Sequence, residues 1–305
     1  MAHIRTQGDQ ASEVLDGSNV ASTVTGQFKC KIYYQDIEGV IAEYTYDEQW
    51  KPTTSATFSA KLYSPLAAIS FNSGQEIRVY CISEEGYLQD WVYSSSRSGW
   101  TPGGLSQLKS IVAANTGLAA VCWSDNGPKI RVYAQDPTTN KIQEYRYDTS
   151  WTKGAELAVA QIGTSLAAVC VQQNGINLRV YYQAPDKTIS EYRSDSGGPW
   201  YQGTLKTDEM PALTSIAATG WYNSDVNVRV FFQDSSQNII AYKWEGEWSL
   251  DSTVIGPLRT GRRISALEWN VGDSLRVFYQ ADDNRIREQS QTEGGPWTDG
   301  GFVSG

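Results

Sequence analysis

The sequence contains the same short run six times, a basic residue followed by an aliphatic residue and an aromatic residue. The six copies occupy residues 31–35, 78–82, 131–135, 179–183, 229–233 and 276–280. A second run that usually reads Ile-x-Glu-aromatic follows each copy, and a tryptophan closes each unit: Trp50, Trp100, Trp151, Trp200, Trp248 and Trp297. Units of about 50 residues that fill a whole chain predict a solenoid or a closed ring of structural repeats.

The residue pattern inside each unit predicts strands. Short runs of β-branched and aromatic residues alternate with polar residues, and Gly, Asn, Asp and Ser separate the runs. About four strands fit in one unit, which is the size of a propeller blade, and no segment has helical periodicity. We therefore predict an all-β fold, a six-bladed β-propeller with about four antiparallel strands per blade.

The repeats run through the chain without a linker, which predicts a single domain over residues 1–305. The predicted blades are roughly residues 17–62, 63–113, 114–162, 163–211, 212–260 and 261–305. Only a short segment follows Trp297, so we expect the N-terminal residues 11–17 to close the last blade and remove its open edge.

Charge and composition exclude several classes of function. The chain has 25 Lys and Arg against 34 Asp and Glu, a net charge of −9, which argues against nucleic acid and anionic membrane surfaces as partners. The one histidine, His3, lies near the chain start, where side chains are seldom held rigidly, so histidine-dependent catalysis is not expected. The cysteines are far apart in sequence, so no metal site is expected: Cys30, Cys81, Cys122 and Cys170.

The sequence also predicts no signal peptide and no membrane span. The N-terminal segment lacks the apolar core of a signal peptide, and no run approaches the ~20 apolar residues of a membrane span. We expect a soluble protein without membrane insertion. The sequence does not decide between the cytoplasm and a leaderless route to the cell surface or the medium.

Five of the six units offer a basic residue and an acid on facing strands. If the two runs form a symmetric hairpin, the two side chains lie directly opposite each other on one face. We expect the basic partner to lower the pKa of the acid and keep it ionised. The fifth unit has Arg229 but Ala241 in place of the acid, and the five complete pairs are Lys31 with Glu43, Arg78 with Asp90, Arg131 with Glu144, Arg179 with Glu191 and Arg276 with Glu288.

Two functions are compatible with these pairs. They can be structural ion pairs in a protein-interaction scaffold, repeated because the blade is repeated. They can also bind a neutral sugar, because guanidinium donates to vicinal hydroxyls, carboxylate accepts from them, and a tryptophan offers an indole N–H and an apolar face. A glycosidase needs two acids flanking one bond, whereas each unit has a single acid beside a base. We therefore expect no enzyme.

The composite motif resembles a known family. The Arg-Val-Tyr-Tyr-Gln run, the Ile-x-Glu-Tyr run, the closing tryptophan and the Leu-Ala-Ala-Val-Cys-Trp run at 118–123 are similar to the fungal fucose-specific lectins of the Aleuria aurantia type over about residues 17–302. The resemblance implies a six-bladed propeller that binds L-fucose and fucosylated glycans between neighbouring blades. It also implies no cofactor, no metal, no catalysis and, often, a homodimer.

Carried over from the family, each pocket uses an arginine, a glutamate and the closing tryptophan of one blade, with a wall from the inner strand of the next blade. The resemblance implies three complete pockets: Arg131, Glu144 and Trp151 with Val171; Arg179, Glu191 and Trp200 with Trp221; and Arg276, Glu288 and Trp297 facing the first blade near Thr25.

The other three units depart from the family pattern. Lysine replaces arginine in the first and loses the planar fork, aspartate replaces glutamate in the second, and alanine removes the acceptor in the fifth. We expect weaker binding in the first two and a silent fifth pocket. Their residues are Lys31, Glu43, Trp50 and Phe71; Arg78, Asp90, Trp100 and Trp123; and Arg229, Trp248 and Trp269.

Overall fold

Each unit of the repeat folds as one four-stranded antiparallel sheet in the computed structural model, which describes residues 13–53, 58–97, 99–259 and 261–303. Strand order within each sheet follows the chain, so every blade is a meander. The first three blades contain β1 (Val20–Gly26), β2 (Lys29–Gln35), β3 (Ile41–Asp47) and β4 (Gln49–Pro52); β5 (Ala67–Phe71), β6 (Glu76–Ile82), β7 (Leu88–Ser94) and β8 (Trp100–Pro102); and β9 (Ala119–Ser124), β10 (Pro128–Gln135), β11 (Lys141–Tyr147) and β12 (Trp151–Val159).

The last three blades repeat the same plan, which confirms the predicted six-bladed β-propeller. Their strands are β13 (Leu166–Gln172), β14 (Ile176–Gln183), β15 (Thr188–Ser194) and β16 (Trp200–Glu209); β17 (Ile216–Asn223), β18 (Asp225–Gln233), β19 (Ile239–Trp244) and β20 (Trp248–Ile255); and β21 (Ile264–Trp269), β22 (Ser274–Gln280), β23 (Ile286–Thr292) and β24 (Thr298–Phe302).

The first strand of every blade lines the centre of the ring. Each of these strands contacts the first strands of both neighbouring blades, and contact between β1 and β21 completes the circle. Their side chains, mainly Ala and Ser, surround a central cavity of about 430 Å³. Because small residues occupy the centre, the large apolar side chains of the later strands pack between the blades.

Six apolar clusters, one at each interface between blades, form the core. Between the fourth and fifth blades, Tyr181 and Leu205 pack with Val228 and Phe232. The other five interfaces contain equivalent clusters. Each sheet therefore buries apolar side chains on both faces, which explains the dense Val, Ile and Tyr content of the second strands.

A buried glutamine at the end of the second strand connects a blade to the segment that precedes the next blade. The side-chain nitrogen of Gln183 donates to the carbonyl oxygens of Lys187 at 3.0 Å, Met210 at 3.4 Å and Pro211 at 3.0 Å, and its oxygen accepts from the N–H of Leu213 at 2.8 Å. Four other blades carry the same residue: Gln35, Gln135, Gln233 and Gln280.

The N-terminal segment lies at the junction between the sixth and first blades. Leu15 donates its N–H to the carbonyl oxygen of Gln35 at 3.0 Å, and Gln280 donates to the carbonyl oxygen of Leu15 at 2.9 Å and accepts from the N–H of Gly17 at 2.8 Å. Residues 11 and 12 of the predicted closing segment lie outside the described residues. The closing role of residues 11–17, the blade boundaries and the single-domain assignment stay predictions.

The part of the chain that the structure describes contains little helical structure. A 3-10 helix (Leu105–Leu108) follows β8. Within the described ranges, no helix is long and apolar enough to cross a membrane.

Candidate functional site

The basic residue and the acid of a blade share one face of its hairpin, but they are diagonal neighbours. The register pairs Tyr181 with Glu191 and Arg179 with Arg193, and the other blades have the same offset. The prediction of directly opposite residues was therefore wrong, because the turn at residues 184–187 is centred later in the chain than a symmetric pairing requires. Diagonal neighbours on one face are still within reach of long side chains.

The structure brings all five predicted pairs together as ion pairs. The acids are buried and the basic partners are largely buried, so each pair lies in surroundings of low dielectric. The contacts are Arg131 Nε to Glu144 Oε1 at 3.6 Å, Arg179 Nε to Glu191 Oε1 at 3.4 Å, Arg276 Nε to Glu288 Oε1 at 2.6 Å, Arg78 Nη1 to Asp90 Oδ2 at 2.9 Å, and Lys31 Nζ to Glu43 Oε1.

The tryptophan that closes one blade lies against the pair of the preceding blade. The ring of Trp248 stands edge-on to Tyr181, with centroids 6.0 Å apart and planes at 84°. Tyr181 is the cross-strand neighbour of Glu191, so Trp248 borders that acid. The same edge-on contact occurs at all six interfaces: Tyr33–Trp100, Tyr80–Trp151, Tyr133–Trp200, Tyr181–Trp248, Phe231–Trp297 and Phe278–Trp50.

This arrangement corrects the predicted grouping, which joined each pair to the tryptophan of its own blade. Trp200 is the cross-strand partner of Ser194, and Ser194 is three residues from Glu191, so Trp200 and Glu191 point to opposite faces of the sheet. The structure instead groups Lys31 and Glu43 with Trp100; Arg78 and Asp90 with Trp151; Arg131 and Glu144 with Trp200; Arg179 and Glu191 with Trp248; Arg229 with Trp297; and Arg276 and Glu288 with Trp50.

The aromatic wall comes from the inner strand of the same blade, which is the reverse of the prediction. Val121 is the cross-strand partner of Arg131, and Trp123 follows it on the same face. The guanidinium carbon of Arg131 accordingly lies 4.7 Å from the ring centre of Trp123. The fifth and sixth blades have equivalent contacts, at 5.3 Å for Arg229 with Trp221 and 5.0 Å for Arg276 with Trp269, and Phe71 and Val171 occupy the matching positions on β5 and β13.

The first two pockets contain a different aromatic contact. Lys31 Nζ lies 5.8 Å from the ring centre of Tyr93, and the guanidinium carbon of Arg78 lies 5.6 Å from that of Tyr147. Both tyrosines belong to the next blade and sit beside its closing tryptophan. These two pockets, which depart from the family pattern in sequence, therefore also differ in which blade supplies the cation–π partner.

A second acid holds the far end of the guanidinium in three blades, and sequence reasoning missed it. Arg179 Nη2 lies 2.6 Å from Asp195 Oδ1, while its Nε faces Glu191. Two other blades have equivalent contacts, Arg131 with Asp148 at 3.0 Å and Arg229 with Glu245 at 2.7 Å. Each of these acids directly follows the residue that pairs with the closing tryptophan, so an alignment of the six units could have found them.

Burial raises the pKa of four of the pocket acids. For Glu191, desolvation is the largest influence, and Arg179 together with the backbone N–H of Thr204 opposes it. The pKa values of Glu144, Glu288 and Asp90 are raised for the same first cause. The sequence-based expectation of a lowered pKa was wrong for these four acids, because burial destabilises the charged carboxylate more than the nearby arginine stabilises it.

A glycine in the fourth strand, or directly after it in the second blade, makes room for the acid in four blades. In the third, fourth and sixth blades the strand is bulged where it passes the acid, and a Cβ built on Gly203 would overlap the carboxylate of Glu191. Gly103, Gly154 and Gly300 stand in the same relation to Asp90, Glu144 and Glu288. The backbone next to this glycine can approach the acid, and the N–H of Thr204 donates to Glu191 Oε2 at 3.1 Å.

The indole N–H groups differ between pockets. Trp50 Nε1 donates to Glu288 Oε2 at 2.9 Å in the sixth pocket, and Trp297 Nε1 donates to Ser252 Oγ at 3.0 Å in the fifth. Trp248 Nε1 is buried and has no hydrogen-bond partner among the described residues. The fourth pocket therefore contains a free indole donor beside an Arg–Glu pair, a combination that a ligand hydroxyl can satisfy.

The comparisons of sequence and of structure both find fucose-specific lectins. The family model described as fungal fucose-specific lectin matches residues 14–304. A fucose-specific lectin of Aleuria aurantia is 31% identical over 310 residues, which cover 96% of this chain and 97% of that protein. Two solved structures of an Aleuria aurantia lectin variant, in complex with α-methyl-L-fucoside and with Fucα1-6GlcNAc, align over 96% of this chain and 97% and 98% of theirs, with a TM-score of 0.86 and 30% and 29% identity.

Proposed function

The chain belongs to the fungal fucose-specific lectin family, and we propose that it binds L-fucose in the pockets between its blades. Five of the six pockets combine the basic residue and acid of one blade with the closing tryptophan of the next. The observation that carries the proposal is the fourth pocket, where the unpartnered indole N–H of Trp248 borders the buried pair of Arg179 and Glu191.

The chemistry of this pocket suits a neutral sugar. Arg179 can donate to hydroxyl oxygens, and Glu191 can accept from hydroxyl groups, so vicinal hydroxyls satisfy both. Trp248 adds a donor and an apolar face for the C–H groups of the sugar. An anionic ligand fits less well, because the carboxylate of Glu191 repels it.

Catalysis and a metal ion are not part of the proposal. Glycoside hydrolysis needs two acids on either side of one bond, and in the fourth pocket the second acid, Asp195, lies at the far end of the Arg179 guanidinium. The relatives are lectins by name. We propose that sugar binding here needs no metal, because the donors and acceptors of the pocket satisfy a sugar by themselves.

Several pockets on one rigid ring make the protein multivalent. Clustered fucosylated glycans, which we propose as its partners, would engage neighbouring pockets at high effective concentration, so modest single-site affinity becomes strong avidity. A homodimer would extend the array further. Nucleic acid is not proposed as a partner, because the net charge is −9.

Titration calorimetry with methyl α-L-fucoside tests the proposal. We expect saturable heat with about three to five sites per chain, no heat with methyl β-D-galactoside, and the same result in EDTA. Absence of heat with both sugars, on a chain shown to be folded, would make the ion pairs structural and favour a protein-interaction scaffold. Loss of binding in EDTA that Ca²⁺ restores would contradict the metal-free pocket.

Fucoside binding is expected to weaken at mildly acidic pH. Sugar hydroxyls donate to the ionised form of Glu191, and burial raises the pKa of that acid, so the acceptor is lost at a higher pH than for an exposed glutamate. Affinity should therefore be constant at neutral pH and fall as pH passes down through the raised pKa. Titrations across this range check it; affinity unchanged down to the ordinary glutamate range would show that the carboxylate charge does not contribute.

A further inference from the structure

The fifth blade carries an acid at a position where four other blades carry glycine. The position is the third residue after the closing tryptophan, and it holds Gly103, Gly154, Gly203 and Gly300 in the second, third, fourth and sixth blades. In the fifth blade it holds Asp251, and that blade is also the one in which Ala241 replaces the pocket acid. The two departures occur together in one pocket.

The two positions compete for the same space. In the fourth blade, a Cβ on Gly203 would overlap the Glu191 carboxylate, so glycine at this position leaves room for the acid. Ala241 has no carboxylate, so the fifth blade can carry a side chain at the bulge between Leu250 and Ser252. The side chain of Asp251 extends from the backbone beside the space that the acid of the third strand occupies in the other blades.

The carboxylate of Asp251 contacts Arg229, the arginine that lacks an acid partner at position 241. Asp251 Oδ2 lies 3.5 Å from Arg229 Nε. Glu144 and Glu191 approach the same nitrogen of their arginines, at 3.6 Å and 3.4 Å. The side chain of Asp251 is 17% exposed, which places its carboxylate inside the pocket rather than in solvent.

The remaining parts of the fifth pocket are in place. Arg229 Nη2 is held by Glu245 at 2.7 Å, as Arg179 is held by Asp195. The Arg229 guanidinium lies over Trp221, and Trp297 stands edge-on to Phe231. The indole N–H of Trp297 donates to Ser252, the neighbour of Asp251.

We propose that the fifth pocket binds L-fucose, with Asp251 as the acceptor in place of the missing glutamate. The inference rests on the proposed function, because it assigns the same ligand to one further pocket. It replaces the expectation of a silent site drawn from Ala241. In this blade the acid lies on the fourth strand instead of the third, and it contacts the same nitrogen of the guanidinium.

A chain in which Asp251 is the one remaining acid that we propose as a fucose acceptor tests this assignment. The substitutions Glu43→Gln, Asp90→Asn, Glu144→Gln, Glu191→Gln and Glu288→Gln preserve shape and disable the other five acceptors. We expect titration with methyl α-L-fucoside to show about one site per chain in this variant, and adding Asp251→Asn to remove it. Glu247→Gln, an exposed residue of the same blade, is the matched control and should change nothing.

Single substitutions in the native chain give a second measurement that does not depend on the multiple variant folding. Asp251→Asn should lower the number of sites by about one, and Ala241→Glu with Asp251→Gly should restore it by rebuilding the arrangement of the other blades. If native stoichiometry survives Asp251→Asn, the acid is a structural partner of Arg229 and Lys243, and the inference is wrong. Absence of binding by the native chain would instead overturn the proposed function itself.

Discussion

Replacing Trp248 is expected to abolish the same fucose site as replacing Glu191, although the two residues lie in different blades. Trp248→Ala removes the donor and apolar face of the fourth pocket, and Glu191→Gln removes its charged acceptor. Loss of a desolvated aromatic anchor or a charge-assisted hydrogen bond costs about 2 kcal/mol or more, roughly 30-fold in affinity. Either variant should therefore lose about one site per chain in calorimetric titration with methyl α-L-fucoside.

Double variants test which tryptophan lies in the same pocket as a given Arg–Glu pair. The double variant Trp248→Ala with Glu191→Gln should still lose about one site, because both changes disable one pocket. Trp200→Ala with Glu191→Gln should lose about two, because Trp200 borders Arg131 and Glu144 of the third pocket. The opposite pattern would restore the grouping within a single blade. Circular dichroism of each variant separates loss of a site from loss of folded protein, since Trp→Ala also costs packing energy.

The fold could be predicted because its signal is repeated six times. A single run such as residues 179–183 indicates little more than a buried strand. Six such runs at a constant spacing, each with its own turn residues and closing tryptophan, specify a ring of equal sheets. The residue types of the pocket were also predictable, because an acid spaced regularly from an arginine falls on the same face of a hairpin.

Assignment of the tryptophans to blades failed because the register of the outer hairpin is not visible in the sequence. Trp200 lies on the opposite face from Glu191 because it pairs with Ser194, and a register shifted by one residue would reverse that. Sequence proximity favoured the tryptophan of the same blade, whereas the twist and packing of neighbouring sheets bring Trp248 to Glu191. The inner-strand wall failed for the same reason.

Asp251 shows a different limit of motif reasoning. The sequence motif places the pocket acid at one position of the third strand, so Ala241 indicates a lost acceptor. The contact of Asp251 with Arg229 becomes visible only when the fourth strand is placed beside the third. A carboxylate that contacts the arginine can come from the third strand or from the fourth. The overlap between a Cβ on Gly203 and the carboxylate of Glu191 shows that the two positions reach the same place.

Replacing Gln183 with leucine is expected to destabilise the fold by about 4 kcal/mol, the largest effect on stability that we predict. Its side chain makes four hydrogen bonds to the backbone, three of them to the segment that joins the fourth and fifth blades and one to Lys187 within the fourth blade. Leucine has a similar size but no polar atoms, so three carbonyl oxygens and one N–H lose their partners. Each bond contributes about 1 kcal/mol, and each buried group left unsatisfied costs about 1–3 kcal/mol.

Guanidinium denaturation of the native and variant chains measures the effect as a lower midpoint with an unchanged slope. Gln172→Leu, an exposed residue on β13, is the matched control and should leave the midpoint nearly unchanged. Because Gln280 makes the equivalent bond to Leu15, Gln280→Leu should lower the midpoint similarly if the N-terminal segment closes the ring. A midpoint that does not move in Gln183→Leu would mean that water replaces these bonds at no cost, and the glutamines would then be incidental to the joining of the blades.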